Sequence, residues 1–130
     1  MTASRLRRAS RWLPALLWMG VIFRLSAIPG SRVPGRFGNL GHFVSYAVLA
    51  ALLYSAARRA GSGITRGAAI AILVASLYGV TDEIHQAFVP GRIPDVADWA
   101  IDTLGAAAAA AVPLVRRHAR STKAARRRPS

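Results

Sequence analysis

The chain has 130 residues, 53% of them hydrophobic, a formal net charge of +13 and no cysteine. Its length suits one domain, its apolar share exceeds that of an ordinary soluble domain, and the lack of cysteine excludes disulfides, thiolate metal sites and a cysteine nucleophile. The charge does not indicate nucleic-acid binding: eleven of the eighteen basic residues lie in the two tails, whereas a stripe that tracks phosphates follows a folded face.

Residues 1–11 form a basic tail with Arg5, Arg7, Arg8 and Arg11. An apolar stretch over 12–28 follows, with Arg24 near its end. A cleaved signal peptide is the competing reading of this stretch, but Arg24 interrupts the run and no A-x-A-like site follows, so a retained span is expected. After the break at 29–39 comes a second stretch over 40–57. The break at 58–63 precedes a third over 64–84, which runs into Thr81, Asp82 and Glu83, and the break at 85–95 precedes a fourth over 96–115. Each approaches the length needed to cross a hydrocarbon core of about 30 Å. A soluble helical bundle would need polar helix faces, and the run 104–115 has none. The last segment, 116–130, carries Arg116, Arg117, Arg120, Lys123, Arg126, Arg127 and Arg128 and is expected to be a disordered cytoplasmic tail. The predicted fold is therefore all-α, a four-helix transmembrane bundle over 12–115 between two basic tails.

Basic residues fix the expected orientation, because they are retained in the cytoplasm. With the N-terminus inside, fourteen Lys and Arg fall in the segments on the cytoplasmic side, among them Arg58, Arg59 and Arg66, and three (Arg32, Arg36 and Arg92) on the other. Both termini are thus expected inside, at a bacterial cytoplasmic (inner) membrane. The C-terminal run serves as a topology anchor, with an anionic-lipid site as the alternative. Gly20, Gly67, Gly79, Gly105 and the alanines from 106 to 111 let helices approach closely in lipid. So thin a body suits a homodimer, with no residue assigned to that role.

All five acids, Asp82, Glu83, Asp95, Asp98 and Asp102, fall in one 21-residue window, which this topology places at the extracytoplasmic helix ends. Charges at that depth are costly unless paired or watered, which makes a functional site the default reading. Arg24, His42, Tyr46, His85, Gln86 and Arg92 reach the same end. His42 with Tyr46, Asp82 with Gln86, and Asp95 with Asp98 and Asp102 have the spacing of one helix face, and Pro90-Gly91 makes a turn that folds Arg92 back over the helix ends. The bland alternative is a non-catalytic scaffold whose ion pairs, Arg24 with Glu83 and Arg92 with Asp98, fix packing.

Three chemistries fit. A metal-dependent membrane hydrolase would draw ligands from His42, His85, Glu83, Asp98 and Asp102, but Asp82-Glu83-Ile84-His85 is not an H-E-x-x-H motif and no metal site is assigned. Hydrolysis without metal would use His42 or His85 as base, with a carboxylate pair, and Arg24 and Arg92 as anion holders; Ser26, Ser31 and Ser45 are bare nucleophile candidates. Binding without chemistry would hold a membrane lipid headgroup or a lipid-linked cell-wall precursor. Ion transport ranks behind these, because the inner halves of the helices are apolar. Gly61-Ser62-Gly63 is a short turn, not a phosphate loop.

Four pieces of sequence in this order resemble the VanZ-like family of small bacterial membrane proteins over residues 20–112. They are Arg24-Leu25-Ser26-Ala27-Ile28-Pro29; Gly41-His42-Phe43 with Tyr46; Tyr78-Gly79 through Asp82-Glu83-Ile84-His85-Gln86 with Phe88; and Pro90-Gly91-Arg92 through Asp95, Asp98, Asp102 and Gly105. The resemblance implies a multi-helix membrane protein, a family whose named member is linked to teicoplanin resistance, and motif positions at Arg24, Ser26, His42, Tyr46, Glu83, Gln86, Arg92, Asp98 and Gly105. Without Gly105 and with Asp102 these form the expected binding set, and His42, Glu83 and Asp98 are the candidates for any catalysis; no cofactor is assigned. The chain departs from the pattern at Gly38 and Asn39, where the family often has Asp-Lys, at Ala27, where a second Ser is common, and at Asp102, where Asn is common. The extra acid favours a cation.

Overall fold

A computed structural model describes residues 9–30 and 35–126. A 3₁₀ turn over Ser10–Trp12 leads into α1 (Leu13–Ser26), followed by α2 (Gly35–Arg59), α3 (Ile64–Gln86) and α4 (Val96–Arg126), with no strand among the described residues. Arg5, Arg7, Arg8, Ser31, Arg32, Arg127 and Arg128 lie outside the described residues.

Local chemistry sets the element ends. Pro14 sits in the first turn of α1, where its missing N–H leaves no helical bond unmade. α2 closes with the Ser62 N–H bonded to the Ala57 carbonyl and the Gly61 N–H to that of Arg58. Gly61 has φ +98°, so this is the glycine-terminated Schellman cap. Between α3 and α4, Val89 accepts the Arg92 N–H at 3.1 Å across Pro90-Gly91, and Gly91 has φ +73°. Pro in the second place and a left-handed Gly in the third make this a type II turn. Asp95 then caps α4, its Oδ1 accepting the Ala97 N–H at 2.8 Å.

α2, α3 and α4 pack on one another, and α1 lies against α2 and α3. Small side chains make this contact close: Ala50, Ala71, Ala75 and Ala106 are buried with Tyr46, Leu49 and Leu53. At Gly105 a Cβ would come within 2.2 Å of the Phe43 carbonyl oxygen, so glycine is what permits α2 and α4 to cross there. Polar ties cross the other interfaces. Trp18 Nε1 donates to the Ser45 carbonyl, Tyr78 Oη to that of Met19 and Trp99 Nε1 to that of Ser76, while Ser76 and Thr103 share a hydroxyl bond.

The outward faces are apolar, with Leu17, Leu73 and Leu104 each about 60% exposed. α2 from Gly38, α3, and α4 as far as Lys123 are long and apolar enough to cross a membrane. α1, at 14 residues, spans only about 21 Å at 1.5 Å per residue, short of a hydrocarbon core. α4, at 31 residues, extends to about 46 Å, so residues 116–126 of the basic segment read as a tail are its last turns. The two ends of the bundle differ in charge. Where α1 and α3 finish and α4 begins lie all five acids; at the other end Arg11 bonds the Arg59 carbonyl, and Arg116, Arg117 and Arg120 flank the start of α3 at Ile64.

Candidate functional site

Helical spacing of four residues builds the acidic end. Position i and position i+4 lie one above the other on a helix, so α2 presents His42 with Tyr46, α3 presents Asp82 with Gln86, and α4 presents Asp98 with Asp102, while Ser26 ends α1. Ser26 Oγ donates to Asp82 Oδ2 at 2.8 Å, and Gln86 Nε2 donates to the same oxygen at 3.3 Å. On the facing helices His42 Nδ1 lies 2.9 Å from Asp102 Oδ1, and His42 Nε2 lies 3.9 Å from Asp98 Oδ2. Asp82 and Asp102 are 2% and 0% exposed.

Beside the cluster the end of α1 meets the turn that follows α3. The Gly30 N–H donates to the Pro90 carbonyl at 3.2 Å, and a Cβ on Gly30 would overlap the Gly91 carbonyl, so two glycines let the strands of chain touch. Arg92 Nε donates to the Ile28 carbonyl at 3.2 Å. Arg92 also walls a cavity of about 150 Å³, with Ser26, His42, Ser45, Tyr46 and Asp82, and with Ile22 and Leu25 on its apolar side. Three oxygens of the cluster, the Tyr46 hydroxyl, Asp82 Oδ1 and Asp102 Oδ2, are buried without a hydrogen bond, as are Glu83 Oε1 and His85 Nε2 outside it. Buried polar atoms are nearly always satisfied, so three together ask for a reason.

Of the residues singled out by sequence, Ser26, His42, Tyr46, Gln86, Arg92, Asp98 and Asp102 come together. Three do not join them. Arg24 is exposed and bonds neither Glu83 nor any other acid; the expected pairs of Arg24 with Glu83 and of Arg92 with Asp98 are both absent among the described residues, whose ion-pair contacts are those of His42. Glu83 turns towards the start of α4, where its Oε2 accepts the Asp95 N–H at 2.7 Å. It lines a separate, mainly apolar groove with Val80, Pro94, Val96 and Trp99. His85 stacks on Phe23 with ring centroids 4.0 Å apart. One step along the helix turns a side chain by about 100°, and that rotation separates Glu83 from its neighbour Asp82.

Asp82 is therefore the residue that the sequence-derived site set missed. Its four-residue spacing from Gln86 was the available signal, since the face holding Gln86 must also hold Asp82.

The chemistry open to the cluster follows from its donors and acceptors. Ser26 and His42 bond different aspartates, so the Ser-His-Asp relay that activates a serine is not assembled. Instead carboxylate, imidazole and phenol oxygen or nitrogen atoms converge, and His42, Asp82 and Asp102 each offer one ligand atom within 4.8 Å of the others.

The sequence pattern of the VanZ/LLP1 family matches residues 11–117. No curated protein and no solved structure matches the chain. The family match covers α1, α2, α3, α4 as far as Arg117 and every residue of the cluster, and the chain belongs to the VanZ-like family.

Proposed function

We propose that this is a bacterial inner-membrane protein crossing four times with both termini in the cytoplasm, and that its cavity opens to the outer face and takes the polar headgroup of a lipid-linked cell-envelope component. The observation that carries the reading is the cavity itself. Four segments bring Ser26, His42, Tyr46, Asp82 and Arg92 to one end of the bundle, and its rim carries Leu25, which is 48% exposed. A pocket with a few convergent polar groups beside an apolar rim suits a ligand that is polar at one end and acyl at the other. Arg92 supplies the cation for an anionic group; Ser26 and Tyr46 supply hydroxyls.

The positive-inside bias supports the orientation, because Arg58 and Arg59 of α2, Arg66 of α3 and Arg116, Arg117 and Arg120 of α4 gather at the end away from the cavity. α1 reaches across with the help of the preceding 3₁₀ turn and of Arg24, whose long side chain can extend to the interface. The chain has no native cysteine, so Arg92→Cys gives a single label site. Labelling of intact cells by a membrane-impermeant maleimide is expected, and protection until lysis would overturn the outer-face assignment. Native mass spectrometry of protein released from its own membrane is expected to show a lipid adduct that Arg92→Gln and Ser26→Ala weaken. If adducts are absent and both variants behave as wild type at equal abundance, the cluster serves packing alone. The family's link to teicoplanin resistance makes glycopeptide susceptibility the phenotype to compare.

A further inference from the structure

We propose that His42, Asp82 and Asp102 are the protein ligands of a divalent transition-metal ion, a site that does not depend on which ligand the cavity takes. The three side chains come from α2, α3 and α4, and one ligand atom of each lies within 4.8 Å of the other two. Side-chain adjustments of under about 1 Å bring such atoms onto bonds of about 2.0–2.2 Å. The 2.9 Å between His42 Nδ1 and Asp102 Oδ1 is a hydrogen-bond length, and about 3 Å is also the separation of adjacent ligands on one ion.

Independent of the cluster's spacing, the Tyr46 hydroxyl points to a missing partner. Tyr46 is 0% exposed, lines the same cavity as His42 and Asp82, and its oxygen has no hydrogen bond. Asp82 Oδ1 and Asp102 Oδ2 share that condition. An ion at this point gives the carboxylates a partner, and a water bound to it gives one to the phenol.

Charge leads to the same conclusion. Two buried carboxylates, with Asp98 3.9 Å from the ring, face a single imidazole, and Arg92, at the wall of the same cavity, makes no ion pair with either of them. A doubly charged ion neutralises two carboxylates, which is what burial at the end of a membrane helix requires. The imidazole selects zinc, manganese or iron over calcium and magnesium, which favour all-oxygen shells. The acids that sequence alone offered as ligands beside them, Glu83 and Asp98, are respectively committed to the α4 cap and partly exposed.

The test uses the full chain in detergent, without a histidine tag, stripped by chelator and then titrated with Mn²⁺ or Zn²⁺. Wild type is expected to bind one ion per chain, seen as loss of the six-line spectrum of free Mn²⁺ and as a rise in Tm with Zn²⁺. Asp82→Asn and Asp102→Asn should each weaken binding at least about tenfold, and Glu83→Gln should leave it within about twofold. X-ray absorption of the zinc-loaded wild type needs no variant, and should show one imidazole nitrogen among oxygen ligands at about 2.0–2.2 Å. Failure of wild type to retain an ion, undiminished binding in folded aspartate variants, or a shell lacking imidazole would each overturn the site.

Discussion

At the end where α1 finishes and α4 begins, Asp82 and Asp102 point inward and are almost wholly buried, whereas at the opposite end Arg58, Arg59, Arg66, Arg116, Arg117 and Arg120 all point outward and are exposed. The first arrangement leaves oxygens without partners and sacrifices stability to keep ionisable groups together. The second leaves the helix packing to alanine and glycine and the charges to solvent or headgroups. On the proposed function, inward charge that stays unsatisfied serves binding and outward charge serves orientation.

The largest effect is expected at the helix crossing that holds the acidic end together. Gly105 sits at the crossing of α2 and α4, and any Cβ there meets the Phe43 backbone, which cannot swing aside as a side chain can. Gly105→Val should cost about 3 kcal/mol or more, read as a lower Tm and a smaller monodisperse fraction. A variant as stable as wild type would mean that the crossing is not fixed, and that His42 and Asp102 are not held opposite each other by the backbone.

Next comes the inward charge itself. If the acidic end is kept for binding, replacing Asp82 should stabilise the metal-free protein while removing its ligand. Asp82→Asn keeps an acceptor for Ser26 and Gln86 and exchanges the unpartnered Oδ1 for an amide. A gain of about 1–2 kcal/mol is expected in chelator, measured as a higher Tm than wild type, with the order reversed once Zn²⁺ is added. A lower Tm under both conditions would make Asp82 a structural residue.

Helix positions and the acidic end were legible in the sequence, and the reason is local. The turns at Gly61 and at Pro90-Gly91, and the cap at Asp95, need only short-range chemistry, and the stretches starting at 64 and 96 begin where α3 and α4 do. Lengths were less legible. Hydropathy alone could not show that α1 ends at Ser26, or that α4 continues past the apolar stretch to Arg126. The latter needs only helix propensity, which Arg, Lys and Ala possess without burial. Within the site, same-helix relations such as His42 with Tyr46 could be read from spacing. Partners across helices could not, because they depend on the rotation of each helix about its axis: Arg24 and Glu83 share a depth, yet face different ways.

That distinction between site and scaffold predicts a smaller effect at Asp95. Its side chain caps α4 and its N–H bonds Glu83, but neither residue lines the cavity of Ser26 and His42. Asp95→Ala should cost about 1 kcal/mol through loss of the cap, seen in Tm, with metal affinity within about twofold of wild type. A tenfold loss of affinity would extend the site to the start of α4.

The smallest change in stability is expected at the outward charges. Arg116, Arg117 and Arg120 are exposed on the last turns of α4, and none makes a side-chain hydrogen bond or ion pair among the described residues. Replacing all three with Gln should shift stability by no more than about 0.5 kcal/mol. Their proposed work is done before folding is complete, when basic residues beside a span are held back on the cytoplasmic side. The triple variant should therefore have the Tm of wild type and yet yield a fraction of chains inserted the other way, detected by maleimide labelling at a cysteine placed at 92. A fall in Tm with labelling unchanged would reverse the assignment, making the arginine end a part of the packed structure and leaving orientation to the remaining arginines.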